Sequence, residues 1–119
     1  MSYKTEEKLN QALDRYITFY IGKSAAGNDE IRTLASDEDL WFHIDEDSSA
    51  HVIAIIPVNI DKKQLQYIIT QGAVLCKEIS PKYKKSKFPI NILYARVKNV
   101  QKTEKIGNVL VNNGKIKKV

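Results

Sequence analysis

Two histidines, His43 and His51, flank Asp45, Ser48 and Ser49, and a lone Cys76 follows further on. Two imidazoles and a thiol suggest zinc, but zinc sites are usually announced by closely spaced ligand pairs, and this chain has none. No metal or other cofactor is expected. Serine, histidine and aspartate are also the parts of a hydrolase triad, yet neither serine stands in a nucleophile-elbow sequence. Two further readings treat the imidazoles differently. In one they hydrogen-bond to loop backbone and fix a turn; in the other their neutral edges, beside the flat face of Trp41, bond or stack on an unpaired base. Gly22-Lys23-Ser24 copies the end of a phosphate-binding loop, but that motif needs a second glycine where this chain has Ile17. A milder device survives. Lys23, with the N–H groups of a helix capped near Asn28, can hold one phosphate of a nucleic-acid backbone.

The charges are segregated along the chain. The formal net charge is +5. From Asp29 to Asp61, nine acids (Asp29, Glu30, Asp37, Glu38, Asp39, Asp45, Glu46, Asp47, Asp61) accompany the single base Arg32. From Lys82 onward the balance inverts: Lys82, Lys84, Lys85, Lys87, Arg96, Lys98, Lys102, Lys105, Lys115, Lys117 and Lys118 face only Glu104. An electrically two-sided molecule is expected, whose positive side draws polyanions and releases their counterions. A solvated lysine face is the ordinary alternative.

The elements that must position these groups are read from periodicity. Glu6 to Asp14, with Thr5 as cap and Leu9, Ala12, Leu13 and Tyr16 on one stripe, predicts a short helix. Tyr16 to Ile21 predicts a strand ending at Gly22, and Asn28 to Ala35 a second short helix. Leu40 to Ile44 and His51 to Ile56 predict two antiparallel strands. Alternation puts Trp41 and His43 on one face and the more apolar Leu40, Phe42 and Ile44 on the other, the expected core side. The long helix from Asp61 to about Ser80 has a capping box in Asp61 and Gln64, and a staple in Ile60 and Leu65. Its apolar residues Leu65, Ile68, Ile69, Ala73, Cys76 and Ile79 recur at helical spacing, and Pro81 stops it. Ile90 to Val100 predicts one long strand carrying Arg96, Lys98 and, just beyond, Lys102 as a one-sided ladder of cations. A hairpin about Asn113-Gly114 closes the chain. A composition of 43% hydrophobic and 28% charged residues suits a folded protein. The fold class expected is α+β: one domain over 1–119, a largely antiparallel sheet packed by one long helix with short accessory helices.

Ile21-Gly22-Lys23, Asn28-Asp29, Asp39-Leu40-Trp41-Phe42-His43, Ser49-Ala50-His51-Val52 and Val97-Lys98-Asn99-Val100 with Gly107 beyond follow in an order that resembles the NFACT-R domain. That domain occurs in ribosome quality-control factors and in small stand-alone eukaryotic proteins of the coiled-coil-domain-containing type. The resemblance implies nucleic-acid binding, RNA above all. Where the family often has Pro-Gly-Ser-His, this chain has Ser48-Ser49-Ala50-His51, as in the stand-alone members; no role of the family serine carries over to Ala50. The other modules of the multidomain factors and the charged C-terminal extension of the stand-alone members are missing from this sequence, so neither their peptide-tailing chemistry nor the extension's contacts are expected of it.

The reading is therefore a non-enzymatic RNA-binding domain for tRNA, rRNA or another structured RNA, with DNA and the ribosome as further partners. Lys23, Asn28, Arg96, Lys98 and Lys102 are its candidate phosphate contacts, Trp41, His43 and His51 the nearby polar and aromatic group, and Lys82, Lys84, Lys85 and Lys87 a second basic patch. Two alternatives stand beside it: a protein-docking module acting through Asp37 to Asp47, and a hydrolase using the histidine pair. With one cysteine, no apolar run long enough for a bilayer and no leader-like start, an intracellular, cytoplasmic protein without a membrane span is expected.

Overall fold

The computed structural model describes residues 2–119; Met1, first residue of the segment read for a leader, lies outside them. Strand β1 (Tyr3–Asn10) runs antiparallel to β2 (Arg15–Gly22), in register from Tyr3 opposite Gly22 to Asn10 opposite Arg15. The helix predicted over Glu6 to Asp14 is therefore a strand and a turn. Its charges explain why: Lys4 and Lys8 both reach Glu6, at 3.0 and 3.6 Å, a two-residue spacing that shares a face on a strand and not on a helix. The turn closes with Asp14 at φ 51° and with Leu13 N–H donating to Asn10 Oδ1 at 3.2 Å. Buried Asn10 also donates to Tyr67 O and Gln71 Oε1, at 3.2 and 2.9 Å. Pairing with β2 and these bonds to the long helix outweigh the weak local preference of the segment.

Helix α1 (Ala25–Leu34) follows, capped by Ser24 and not by Asn28. Strands β3 (Leu40–Ile44) and β4 (Val52–Ala54) pair antiparallel as expected. Helix α2 (Lys62–Glu78) opens on the complete Asp61–Gln64 capping box. The single strand predicted from Ile90 to Val100 divides instead. β5 (Asn91–Arg96) gives way to one 3₁₀ turn (Val97–Asn99) and then to β6 (Val100–Lys102), which leaves the main sheet. The break is imposed from outside the segment: Val97 N–H donates to Asp39 O at 2.9 Å and Lys98 N–H to Asp37 O at 3.1 Å. β7 (Val109–Val111) pairs with β6, whereas β8 (Lys115–Lys118) pairs with β5, so the predicted hairpin about Asn113-Gly114 does not form. Asn113, at φ 54°, is the turn residue that hands the chain from the small sheet back to the large one.

The result is an α+β domain with a six-stranded antiparallel sheet, ordered β1-β2-β4-β3-β5-β8, and a two-stranded β6-β7 sheet. Alternation along the strands sends side chains to two cores. Leu40, Phe42, Ile44, Val52, Ala54 and Ile92 meet Ile68, Ile69, Ala73 and Cys76 of α2. On the other face Trp41, Ile53 and Ala95 pack with Ile31, Val97 and Val100. Each face of β3 is thus buried, as a central strand requires. Among the described residues no helix is long and apolar enough to cross a membrane.

Candidate nucleic-acid interface

The step from β2 into α1 is built on Gly22. Its N–H donates to His51 O at 3.0 Å, and the Lys23 N–H donates to Ser2 O at 2.8 Å. Ser24 Oγ accepts from Gly27 N–H at 3.0 Å, while Asn28, inside the first turn, accepts from His51 N–H through Oδ1 at 3.1 Å. A Cβ on Gly22 would overlap that same Asn28 oxygen, so glycine is what lets the helix close on the strand. Ala25 and Ala26 precede the first intrahelical N–H bond, so their amides point outward with the positive end of the helix dipole. Exposed Lys23 stands beside them.

A distant segment completes the wall. The 103–108 turn is held against α1 by Gly107 N–H, which donates to Asp29 Oδ2 at 3.1 Å, while Asp29 Oδ1 accepts from Arg32 Nη2 at 2.6 Å. Gly107 has φ +81°, a conformation that favours glycine. Ile106 stands 62% exposed on this turn despite its apolar side chain. An open cleft of about 600 Å³ lies between the turn, the start of α1 and the loop after β3; it is lined by Ala25, Asn28, His43, Ser49, His51, Asp47 and Ile106, among others.

The two histidines meet in this cleft, edge to face with ring centroids 5.0 Å apart. His43 also stacks on Trp41 at 5.6 Å, and His51 meets Trp41 edge-on at 5.2 Å. His43 Nδ1 lies 2.6 Å from Ile44 O. A carbonyl only accepts, so Nδ1 carries the proton and, in the neutral ring, Nε2 is left as an acceptor. Burial lowers the His43 pKa, against the Ile44 carbonyl and the Asp45 and Asp47 carboxylates. Burial, with His43 and Arg32 nearby, takes His51 down to about 3, Asp29 opposing. Both rings are neutral at pH 7, so the cleft presents histidine hydrogen-bonding atoms and no histidine charge.

The remaining predicted residues divide. Trp41 is 1% exposed and belongs to the second core, so it is a floor under the histidines and not a stacking surface for a base. The cation ladder does not form, because the 3₁₀ turn interrupts it. Arg96 donates to Glu38 O and approaches Glu38 Oε2 at 3.7 Å, Lys98 Nζ meets Glu38 Oε1 at 2.7 Å, and Lys102 lies on the second sheet close enough to lower the Asp29 pKa. Of the second patch, Lys82 bonds Asp47 at 2.8 Å, joined there by the Tyr83 hydroxyl; together they hold the Asp47 pKa at about 2. Lys84, Lys85 and Lys87 are exposed. The acidic and basic stretches of the sequence are therefore cross-linked in space at Glu38 and Asp47.

Cys76 does not line the histidine cleft. Cys76 is in the α2 core, its thiol pushed up to about 12 by burial, and no cluster of three metal-ligating side chains occurs among the described residues. Ser49 Oγ accepts from Ile44 N–H and donates to Ala50 O, both at 3.1 Å. His51 Nδ1 is buried without a partner among the described residues. Ser24 as the cap, the Asp29–Arg32 pair and Ile106 and Asn108 of the turn are what sequence reasoning did not assign to the site. Asp29 and Gly107 were visible as motif residues, and Arg32 as the one base among nine acids, but not their contacts.

Asn28, His43, His51 and Gly107, scattered along the sequence, thus converge on one cleft, with Gly22 bonded to His51 behind it. The family described as NFACT protein RNA binding domain matches residues 6–117 of this chain. The chain belongs to the NFACT-R family. A relative from Danio rerio, "Coiled-coil domain-containing protein 25", is 32% identical over 88 residues, which are 72% of this chain and 42% of that protein. In fold, this NFACT-R domain is similar to the C-terminal part of a fibronectin/fibrinogen-binding protein from Streptococcus suis, with a TM-score of 0.78 and 24% identity over 98% of this chain and 45% of the other. The chain spans less than half the length of either.

Proposed function

We propose that this NFACT-R domain binds tRNA, rRNA or another structured RNA in an intracellular, translation-linked setting such as ribosome quality control, without catalysing a reaction. The observation that supports this is the meeting of the neutral histidine pair with Ala25 and Asn28, at the start of α1, in one cleft, with exposed Lys23 just ahead of that helix in sequence. A backbone phosphate sits at the start of α1, where the helix dipole, the Ala25 and Ala26 amides and Lys23 favour an anion. His43 Nε2, an acceptor, then faces a group that donates: a ribose hydroxyl or a base N–H. Lys102 adds positive charge on the α1 side of the cleft, whereas Arg96 and Lys98, already shared with Glu38, contribute less.

The test is a salt series on a generic single-stranded RNA, with a log–log slope of about −0.7 per phosphate contact expected. Lys23→Gln with Lys102→Gln should weaken binding and flatten that slope; Arg96→Gln with Lys98→Gln should change both less. A slope near zero in the parent defeats the reading. The docking alternative through Asp37 to Asp47 has less support, because Glu38 and Asp47 already bond the chain's own cations. Binding of a cellular partner that survives nuclease and is lost on neutralising Asp45 and Glu46 would favour it.

A further inference from the structure

A second concavity lies on the α2 side of the sheet, away from the histidines. Leu40 begins β3 there, and His43, near the strand's other end, points to the opposite face. This pocket, of about 470 Å³, has an apolar floor of Leu40, Leu65, Ile69 and Tyr94. Lys62, Arg96 and Lys115 also line it, and no carboxylate does. Three amide side chains, Gln66, Asn99 and Asn113, complete the wall.

The cations come from three elements. Lys62 and Gln66, four apart, share a face of α2; Arg96 ends β5; and Lys115 is in register with Tyr94 across the β5–β8 pair. The two asparagine segments are tied to each other, Asn112 N–H donating to Asn99 O at 2.8 Å. Glu38 touches Arg96 from outside, but it is shared with Lys98, so that trio keeps a net positive charge.

We infer that this pocket binds a nucleotide, with the base on the Tyr94–Leu65 floor and the phosphate among Lys62, Arg96 and Lys115. The volume falls in the range of small-ligand sites, about 300–1,000 Å³. Carboxamides carry the paired donor and acceptor that match base edges, and an aromatic ring beside aliphatic side chains is a surface on which bases pack. Lys62 and Lys115, with Arg96 partly engaged by Glu38, select the phosphate. The inference does not depend on RNA binding at the histidine cleft, because no residue lines both cavities.

Titration calorimetry of the intact chain with AMP, adenosine and inorganic phosphate at pH 7.5 tests it, with backbone NMR shifts locating the ligand. AMP should bind saturably, adenosine and phosphate each at least about tenfold more weakly, since each lacks half of the recognised chemistry. Shifts should fall on Leu65, Gln66 and Asn99. Lys62→Gln with Lys115→Gln, both at exposed positions, should weaken AMP about tenfold or more and leave the melting profile intact. Competition by a short single-stranded RNA assigns the nucleotide to an unpaired residue of RNA; undiminished AMP binding assigns it to a free nucleotide. AMP bound no better than phosphate, equal affinity in the double variant, or shifts confined to His43 and His51 would overturn the inference. Lys23→Gln, expected to lose RNA affinity at the cleft while keeping AMP affinity, separates failure of this site from failure of the other.

Discussion

At the scale of single residues, the cleft depends on groups that are buried first and functional second. Trp41 supports both imidazoles from below, so Trp41→Ala should destabilise the fold by about 3–5 kcal/mol, as large aromatic truncations do. Thermal melts measure the loss, and RNA binding should fall only as far as the folded fraction does. His51 makes a sharper case. Its pKa is about 3 in the folded protein and near 6.5 when exposed. The unfolded chain therefore takes up the proton first, and stability present above pH 6.5 is lost as pH falls towards 3. The lowered carboxylates, Glu6, Asp29, Glu38 and Asp47, act only below their ordinary values of 3.8 to 4.5. Between pH 6.5 and about 4.5 the slope thus belongs to the histidines, up to about 1.4 kcal/mol per pH unit for His51, with His43 adding in the same direction. Denaturant melts across that window should show it, and His51→Gln should flatten it. A flat parent profile would mean that the ring charges without cost and is not sealed.

At the scale of elements, legibility followed from whether an element's reason for existing was local. Helix α2 could be read to its cap because Asp61, Gln64 and its apolar stripe all lie within the segment. Asp61→Ala should accordingly cost about 1 kcal/mol, visible as a lower melting temperature, and Asp61→Asn much less. The β3–β4 pairing and its Leu40-Phe42-Ile44 core face were equally legible, but the burial of Trp41 on the other face was not, because Ile31, Val97 and Val100 that cover it come from other elements. β1 was not, because its partner strand and the Gln71 side chain that bonds its last residues lie elsewhere. The break after Arg96 was hidden for the same reason: the carbonyls of Asp37 and Asp39 that bend the chain there are remote in sequence. Ser24 was misjudged over shorter range. Asn28 and Ser24 are both good caps by type, and the contact of Asn28 with Gly22 and His51 decided between them. Of the residues named on and beside β3 and β4, His43 and His51 line the cleft, whereas Trp41, expected beside an unpaired base, is core. The bond from Gly107 to Asp29 was hidden although both residues were named, because 78 positions separate them.

At the scale of the whole molecule, charge segregation in sequence does not become charge segregation in space without remainder. Glu38 and Asp47 draw Arg96, Lys98 and Lys82 to themselves, and the cations they leave line the α2 pocket or flank α1. Elsewhere, lysines stand on the last strand of the large sheet. Its two ends are β1 and β8; β8, and β1 ahead of the Lys8 and Leu9 carbonyls that accept from Gln71, offer backbone donors and acceptors to any other strand they meet. β1 carries Lys4, Glu6, Glu7 and Lys8, and β8 carries Lys115, Lys117 and Lys118. Another copy approaching β8 therefore meets like charge and must desolvate it before any backbone bond can form. The terminal lysines thus oppose edge-to-edge pairing at β8, whatever polyanion they also meet. Replacing Lys115, Lys117 and Lys118 with threonine, which suits strands and carries no charge, should produce concentration-dependent self-association in sedimentation experiments, with strand content preserved and added salt, which screens the lysines, promoting association of the parent more than of the variant.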